Sequence, residues 1–252
     1  MTLNLRIEDA SLTDTGLARA ENEDCHASLT MQQVWLVADG MGGHANGRFA
    51  SDAIVEATKA ATLPEELEDA CAALGDAIQA ANDRILAASR EADRMMGSTV
   101  VALVVRDGEF AVMWAGDSRA YLFRDERLIQ LTSDHSQVQE LIDRGLLSRE
   151  DAADHPMRHV LARAVGVQDD LQLDAIRDRV AKDDLFLLCS DGLHGVVPDA
   201  EIAAILRRHG ASAAPALIEA SLARGAPDNV TVVLVHASEP TMLVLAGEGN
   251  AR

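Results

Sequence analysis

The chain has 252 residues, 48% hydrophobic and 25% charged, ordinary globular values that allow a sizeable buried core and exclude a fibrous or tail-like protein. Acidic residues number 41 against 22 basic ones, and the net charge of -19 repels polyphosphate backbones and anionic bilayers, so neither nucleic acid nor membrane is expected as a partner. Three widely spaced cysteines, Cys25, Cys71 and Cys189, argue against a disulfide framework or a cysteine-based zinc site and fit a reducing, cytoplasmic setting.

The opening MTLNLRIEDASLTDTG lacks a basic stretch followed by an apolar one. No apolar run approaches the roughly 18 residues needed to cross a bilayer, so neither a standard export signal nor a membrane span is expected. Asp24 to Thr30 and the apolar run Val34 to Ala38, closed by Asp39-Gly40, predict a pair of strands. Helical spacing of apolar residues follows over Arg48 to Ala61 and Pro64 to Ala92, the second with a stripe of Leu67, Cys71, Leu74, Ile78, Ala81 and Ile85. Ser98 to Arg106 and Glu109 to Gly116 flank Asp107-Gly108, a dipeptide suited to a tight hairpin turn, and Arg119 to Arg124 with Arg127 to Leu131 flank Asp125-Glu126. Residues 132–166 break the pattern with a short helix (Ser136 to Arg144), a Gly145 stop, an acidic turn and His155-Pro156, which reads as an insertion at a sheet edge. Strands return at Leu171 to Ile176, Leu185 to Ser190 and Val230 to His236, helices at Asp199 to Arg208 and Ala213 to Ala223, and Ser238 to Arg252 reads as a loosely held tail. Hairpins dominate the centre, so the expected class is an α+β sandwich in one domain over residues 1–252, not a doubly wound parallel sheet.

Acidic residues stand where the buried strands stop. Asp39 follows VWLVA, Asp117 follows VMWAG, Asp191 follows LFLLCS, and Asp228 precedes NVTVVLV. Each alone is an ordinary turn or helix cap. Strand ends on one edge of a sandwich converge, however, and carboxylates gathered there repel one another unless cations neutralise them. An all-oxygen donor set suits Mg²⁺ or Mn²⁺ over zinc. Two such ions sharing one carboxylate would yield hydroxide at neutral pH and clamp a phosphoryl group for in-line attack, which is metal-assisted phosphoester hydrolysis. Asp39 is the candidate shared ligand, because Gly40 lets the backbone approach closely enough for its carbonyl to join the shell.

ARAENED (18–24), VADGMGGHANG (37–47), GST (97–99), WAGDSRAYLFR (114–124), LTSDHS (131–136), CSDGL (189–193) and APDNVTVVL (226–234) resemble, in order, the motifs of type 2C metal-dependent serine/threonine protein phosphatases. The resemblance implies a four-layer α/β/β/α sandwich of two mainly antiparallel sheets, and residues 132–166, with HP and RHVLARAVG, resemble the flap of the bacterial branch. It implies that Asp39 is shared by both metals, that the Gly40 carbonyl serves one, and that Asp191 and Asp228 serve the other. Glu23 and Asp24 would hold metal-bound waters, Arg19 would grip phosphoryl oxygens, and Asp117 with Asp191 would hold a third, weaker ion beneath the flap. Met41 stands where eukaryotic members commonly carry a histidine, so the proton for the leaving alkoxide comes either from His44 or from a metal-bound water. His159 and Ala162 stand where relatives often have asparagine and threonine. The implied activity is dephosphorylation of phosphoserine and phosphothreonine in proteins by a monomer opposing a serine/threonine kinase. Alternatives left open are a catalytically inactive phosphoprotein-binding module, a phosphatase of a sigma-factor antagonist and, disfavoured by charge, a two-metal nuclease. His26, His194, His209 and Cys189 read as packing or capping residues, and Trp35 and Trp114 as core.

Overall fold

The computed structural model describes residues 5–43, 45–148, 151, 155–157 and 160–239. His44, the acidic turn at 149–154 except residue 151, His159 and the tail from residue 240 lie outside the described residues.

Among the described residues, eleven strands form two antiparallel sheets. The first has the order β1 (Arg6–Asp14), β11 (Val230–Ser238), β10 (Leu185–Cys189), β7 (Arg119–Arg124), β8 (Arg127–Gln130). The second runs β2 (Asp24–Leu29), β3 (Val34–Met41), β5 (Val100–Arg106), β6 (Glu109–Ala115), β9 (Asp174–Arg179), with the short β4 (Gly97–Ser98) on the end of β3. Successive side chains of a strand point to opposite faces, and the run VWLVA of β3 is apolar throughout because both faces are buried. Trp35 and Val37 meet Val101, Trp114, Phe186, Leu188 and Val233 between the sheets, where Phe110 and Phe186 stack edge-on. Leu36 and Ala38 turn outwards to helices α1 (Ala45–Ala60) and α2 (Leu67–Ala92), whose Ile54, Leu74, Ile78 and Ile85 cover that sheet. On the other outer face, Leu187, Val232 and Leu234 pack against Ile202 and Leu206 of the helix Asp199–His209 and Leu217 of the helix Ala214–Leu222. The expected order of helices, sheet, sheet and helices is what these three clusters build.

Two strands depart from the sequence expectation. Arg6–Asp14, for which the sequence predicts no element, pairs with the whole length of β11, from Arg6 opposite Ser238 to Asp14 opposite Val230. It is a polar edge strand, so it carries no apolar signal. The strand expected at Leu171 to Ile176 instead runs over Asp174–Arg179, pairing with β6 from Asp174 opposite Trp114. Leu171 and Leu173 are spent on the helix-facing cluster before pairing begins. The hairpin at Asp107-Gly108 forms as expected, with both residues at positive φ (47° and 77°). Between the edge strands β8 and β9 runs the 132–166 segment, in which Ser136 caps the short helix Gln137–Asp143 by accepting the Gln139 N–H. Among the described residues, no helix is long and apolar enough to cross a membrane.

Candidate metal centre

β3 delivers Asp39 to the end of the sandwich, and its backbone is fully committed there. The Asp39 carbonyl accepts the Thr99 N–H at 2.8 Å and the Ser98 hydroxyl at 2.9 Å, and its N–H donates to the Thr99 hydroxyl at 3.1 Å. Thr99 is in turn 2.6 Å from the Ser118 hydroxyl, tying the GST motif to the residue after Asp117. Gly40 has no room for a side chain, since a Cβ would lie 2.7 Å from the Glu23 carbonyl and against the Gly47 carbonyl. The backbone therefore passes between two neighbours at a distance only glycine allows.

Asp39, Asp117, Asp191 and Asp228 line one cleft of about 870 Å³, together with Arg19, Glu23 and Gly40. Burial first, and then Asp24, Asp191, Asp117 and Asp228, hold the Asp39 carboxyl well above the usual carboxylate range. Burial and then Asp191 push Asp117 up to about 8. The turn pairing of Asp117 with Arg119 that an ordinary cap would give is not made, because Arg119 grips Asp134 in a fork at 2.8 and 2.7 Å. Asp117 is held instead through its carbonyl, 3.0 Å from Nε2 of His194. Burial pushes His194 down to about 3, so the ring is neutral and can donate to that carbonyl. A residue read from sequence as bland therefore links the Asp117 turn to the helix Asp191–His194.

Asp24 lies opposite Asp39 across the β2–β3 pair and is 1% exposed, behind the cleft floor and outside its lining. Its Oδ2 accepts the Ser190 hydroxyl at 2.7 Å, while Oδ1 is buried with no protein partner, and burial pushes the group up to about 7. An orphaned buried acceptor calls for a water or ion that the protein does not itself supply. Glu23 lines the cleft, its N–H donating to Asn229 Oδ1 at 2.8 Å and its carbonyl accepting the Ser51 hydroxyl at 2.6 Å. Arg19 donates to Asp228 Oδ2 at 2.6 Å, and the Asn229 N–H to Asp228 Oδ1 at 2.9 Å.

Among the described residues, no three His, Cys, Asp or Glu side chains come close enough to enclose an ion by themselves. Asp39, Asp191 and Asp228 share the cleft without closing on one point, and an ion bound there would complete its shell with water, as Mg²⁺ commonly does. Five mutually repelling carboxylates, a backbone carbonyl brought forward by a glycine and an orphaned buried oxygen fit divalent cations of the Mg²⁺ or Mn²⁺ kind. Sequence reasoning missed Asn229, Ser190 and Thr99 as positioning residues. Each is a buried polar residue inside a motif already singled out, and that is the signal that marks it.

Residues 18–224 match the protein phosphatase 2C family. The chain belongs to that family. A serine/threonine phosphatase stp of Listeria innocua is 38% identical over 235 residues, covering 89% of this chain and 93% of the relative. Among solved structures, PppA, a key regulatory component of T6SS in Pseudomonas aeruginosa, superposes with a TM-score of 0.86 at 37% identity, covering 92% of this chain and 97% of its own. The catalytic domain of PstP, solved in complex with two manganese ions, gives a TM-score of 0.84 at 34% identity, with 93% of this chain and 100% of that one covered. The protein phosphatase 2C fold of two antiparallel sheets flanked by helices is thus common to this chain and to relatives of the bacterial branch.

Proposed function

We propose that this chain is a protein-serine/threonine phosphatase that hydrolyses phosphoserine and phosphothreonine with two Mg²⁺ or Mn²⁺ ions. The observation that carries the reading is the convergence of Asp39, Asp191 and Asp228 with Arg19 in one cleft, around a carboxyl that burial and then its acidic neighbours hold well above the usual carboxylate range. Asp39 would be shared by both ions, the Gly40 carbonyl would serve one, and Asp191 and Asp228 the other. The ions, when bound, supply an activated water and neutralise charge on the phosphoryl group. Arg19 can grip two phosphoryl oxygens in its planar fork, exchanging its present bond to Asp228 for the substrate. Glu23 and Asp24 orient water from beside and behind Asp39. Asp117, with Asp191, would hold a third ion more loosely. The proton for the leaving alkoxide would come from His44, which lies outside the described residues, or from water in the cleft.

Residues 132–166 act in this reading as a flap over the cleft within one phosphatase domain of residues 1–252. The chain works as a cytoplasmic monomer in signal transduction and opposes a serine/threonine kinase. An inactive phosphoprotein-binding module would have no need of the intact acidic set. Phosphate release from a phosphothreonine peptide, measured in Mn²⁺ and again after chelation, tests the proposal. Turnover that requires the metal supports it, and metal-independent turnover or none removes it.

A further inference from the structure

The acidic floor of the cleft accounts for the phosphoryl group and leaves one wall unexplained. Met41, Met95, Val160, Leu161 and Val167 line the same cleft. Met95 is 74% exposed and Val160 and Val167 are each 40% exposed, so this is an apolar surface left open to solvent beside the floor. Met41 and Val167 meet over Gly97, where a Cβ would lie 2.7 Å from Met41 Cε and 3.1 Å from Val167 Cγ2. The Met95 carbonyl would lie 2.8 Å from a Cβ on Gly42, next to Met41, which brings the Met95 and Met41 backbones side by side on the rim of the same cleft. The wall is also held rigidly. Val165 exchanges backbone hydrogen bonds with Ser98 at 2.9 and 2.8 Å. The buried Asn82 accepts the Gly166 N–H at 2.7 Å and donates to the Gln168 carbonyl at 2.9 Å, clamping the chain on both sides of Val167.

The charges complement this. Arg19 and Arg163 are the cations lining the described cleft. Arg19 sits at the floor on Asp228, and Arg163 is bound to Asp174 at 2.6 Å and to the Gln172 carbonyl at 3.1 Å. With Arg19 taken by the phosphoryl group and Arg163 by Asp174, an acidic residue beside the phosphorylated one would find no further cation among the side chains that line the described cleft, where Glu23 also stands.

We propose that the Met41–Met95–Val160–Val167 wall is a specificity subsite for the substrate protein, taking an apolar side chain within two residues of the phosphoserine or phosphothreonine and rejecting acidic flanks. The inference rests on the phosphatase reading, which is what brings a phosphorylated segment into the cleft. An extended segment advances about 3.3 Å per residue, so a residue anchored at the floor keeps its near neighbours inside the cleft that this wall lines. Phosphothreonine peptides with glycine at the four nearest positions provide the reference, and leucine, lysine or glutamate is then placed at one neighbour at a time. With Mn²⁺ present, leucine should exceed glutamate in kcat/KM about tenfold at one neighbour or more. The Met95→Ser/Val167→Ser double variant, altered at two exposed positions, should erase that advantage and leave the glycine-flanked peptide unchanged. Equal rates for all three residues at every neighbour, a preference for lysine or glutamate, or a leucine preference that survives the double variant overturns the subsite. Failure of the wild type to turn over the glycine-flanked peptide is a separate result, which removes the phosphatase reading and the subsite with it.

Discussion

Replacing Asp39 by asparagine is expected to stabilise the metal-free protein while abolishing its response to metal. Burial, Asp24, Asp191, Asp117 and Asp228 all raise the proton affinity of Asp39, while burial pushes Asp117 up to about 8 and Asp24 up to about 7. In the unfolded chain such groups ionise near pH 4. Between about pH 4 and the folded-state values, the folded protein holds protons that the unfolded chain has released, so stability is fully present below that window and falls as pH rises through it. For Asp117, held up to about 8, one such proton costs about 1.4 kcal/mol per pH unit, or about 4 kcal/mol from pH 4 to pH 7, against a total stability of about 5–15 kcal/mol. At about 2–4 °C per kcal/mol for a chain of this size, metal-stripped wild type should lose about 8–16 °C in Tm over that range. Asparagine keeps the shape of a protonated Asp39 without its charge. Metal-free Asp39→Asn should therefore melt several degrees above metal-free wild type at pH 8, with the gap narrowed to a few degrees at pH 5. Mn²⁺ at a hundred times its Kd should add about 2.7 kcal/mol to the wild type and almost nothing to the variant. Differential scanning calorimetry in chelator from pH 5 to pH 8 reads all of this. A stripped wild type whose Tm is flat or rises with pH, or a variant that melts lower at pH 8, refutes the reasoning.

Asp191→Ala should fold and lose turnover by about a thousandfold or more even in saturating Mn²⁺, since no neighbouring carboxylate replaces it; near wild-type phosphate release would contradict the ligand assignment. Arg19→Ala should lower kcat/KM on phosphopeptide about 10–100-fold while the Mn²⁺ concentration dependence stays in place, because the guanidinium addresses phosphoryl oxygens and not the ions. Asp117→Asn should lower kcat about 10–100-fold and leave the tighter Mn²⁺ sites intact by titration calorimetry. Arg119→Met leaves Asp134, 15% exposed at its side chain, without its forked partner, and should cost about 2–4 kcal/mol in denaturant unfolding.

The fold and the acidic set were legible because their signals are local. An apolar run buried on both faces, as in β3, announces a central strand, and an aspartate at its end announces itself by position. What the sequence hid depends on distant partners. Arg6–Asp14 is half-polar because it is an edge, so only its pairing with β11 makes it a strand. Asn82 reads as one polar residue in a long amphipathic helix until the chain returns 84 residues later and places the Gly166 N–H against it. Asn229 likewise joins the Glu23 loop to Asp228 over a separation of 206 residues, and His194 finds its partner in the carbonyl of Asp117. The roles of Arg19, Glu23 and Asp24 were suggested by family motifs and not by spacing alone, since an arginine and two acids in a polar loop otherwise read as solvated surface. The structure shows them converging on Asp39 from a different strand and loop.

Asp39, Gly40, Asp191 and Asp228 are expected to hold two catalytic divalent ions. Anomalous diffraction from crystals grown with Mn²⁺ tests this assignment most directly. Two strong peaks are expected that share the Asp39 carboxylate, one also reached by the Gly40 carbonyl and the other by Asp191 and Asp228. Strong peaks elsewhere, or none in this cleft at saturating Mn²⁺, would contradict it.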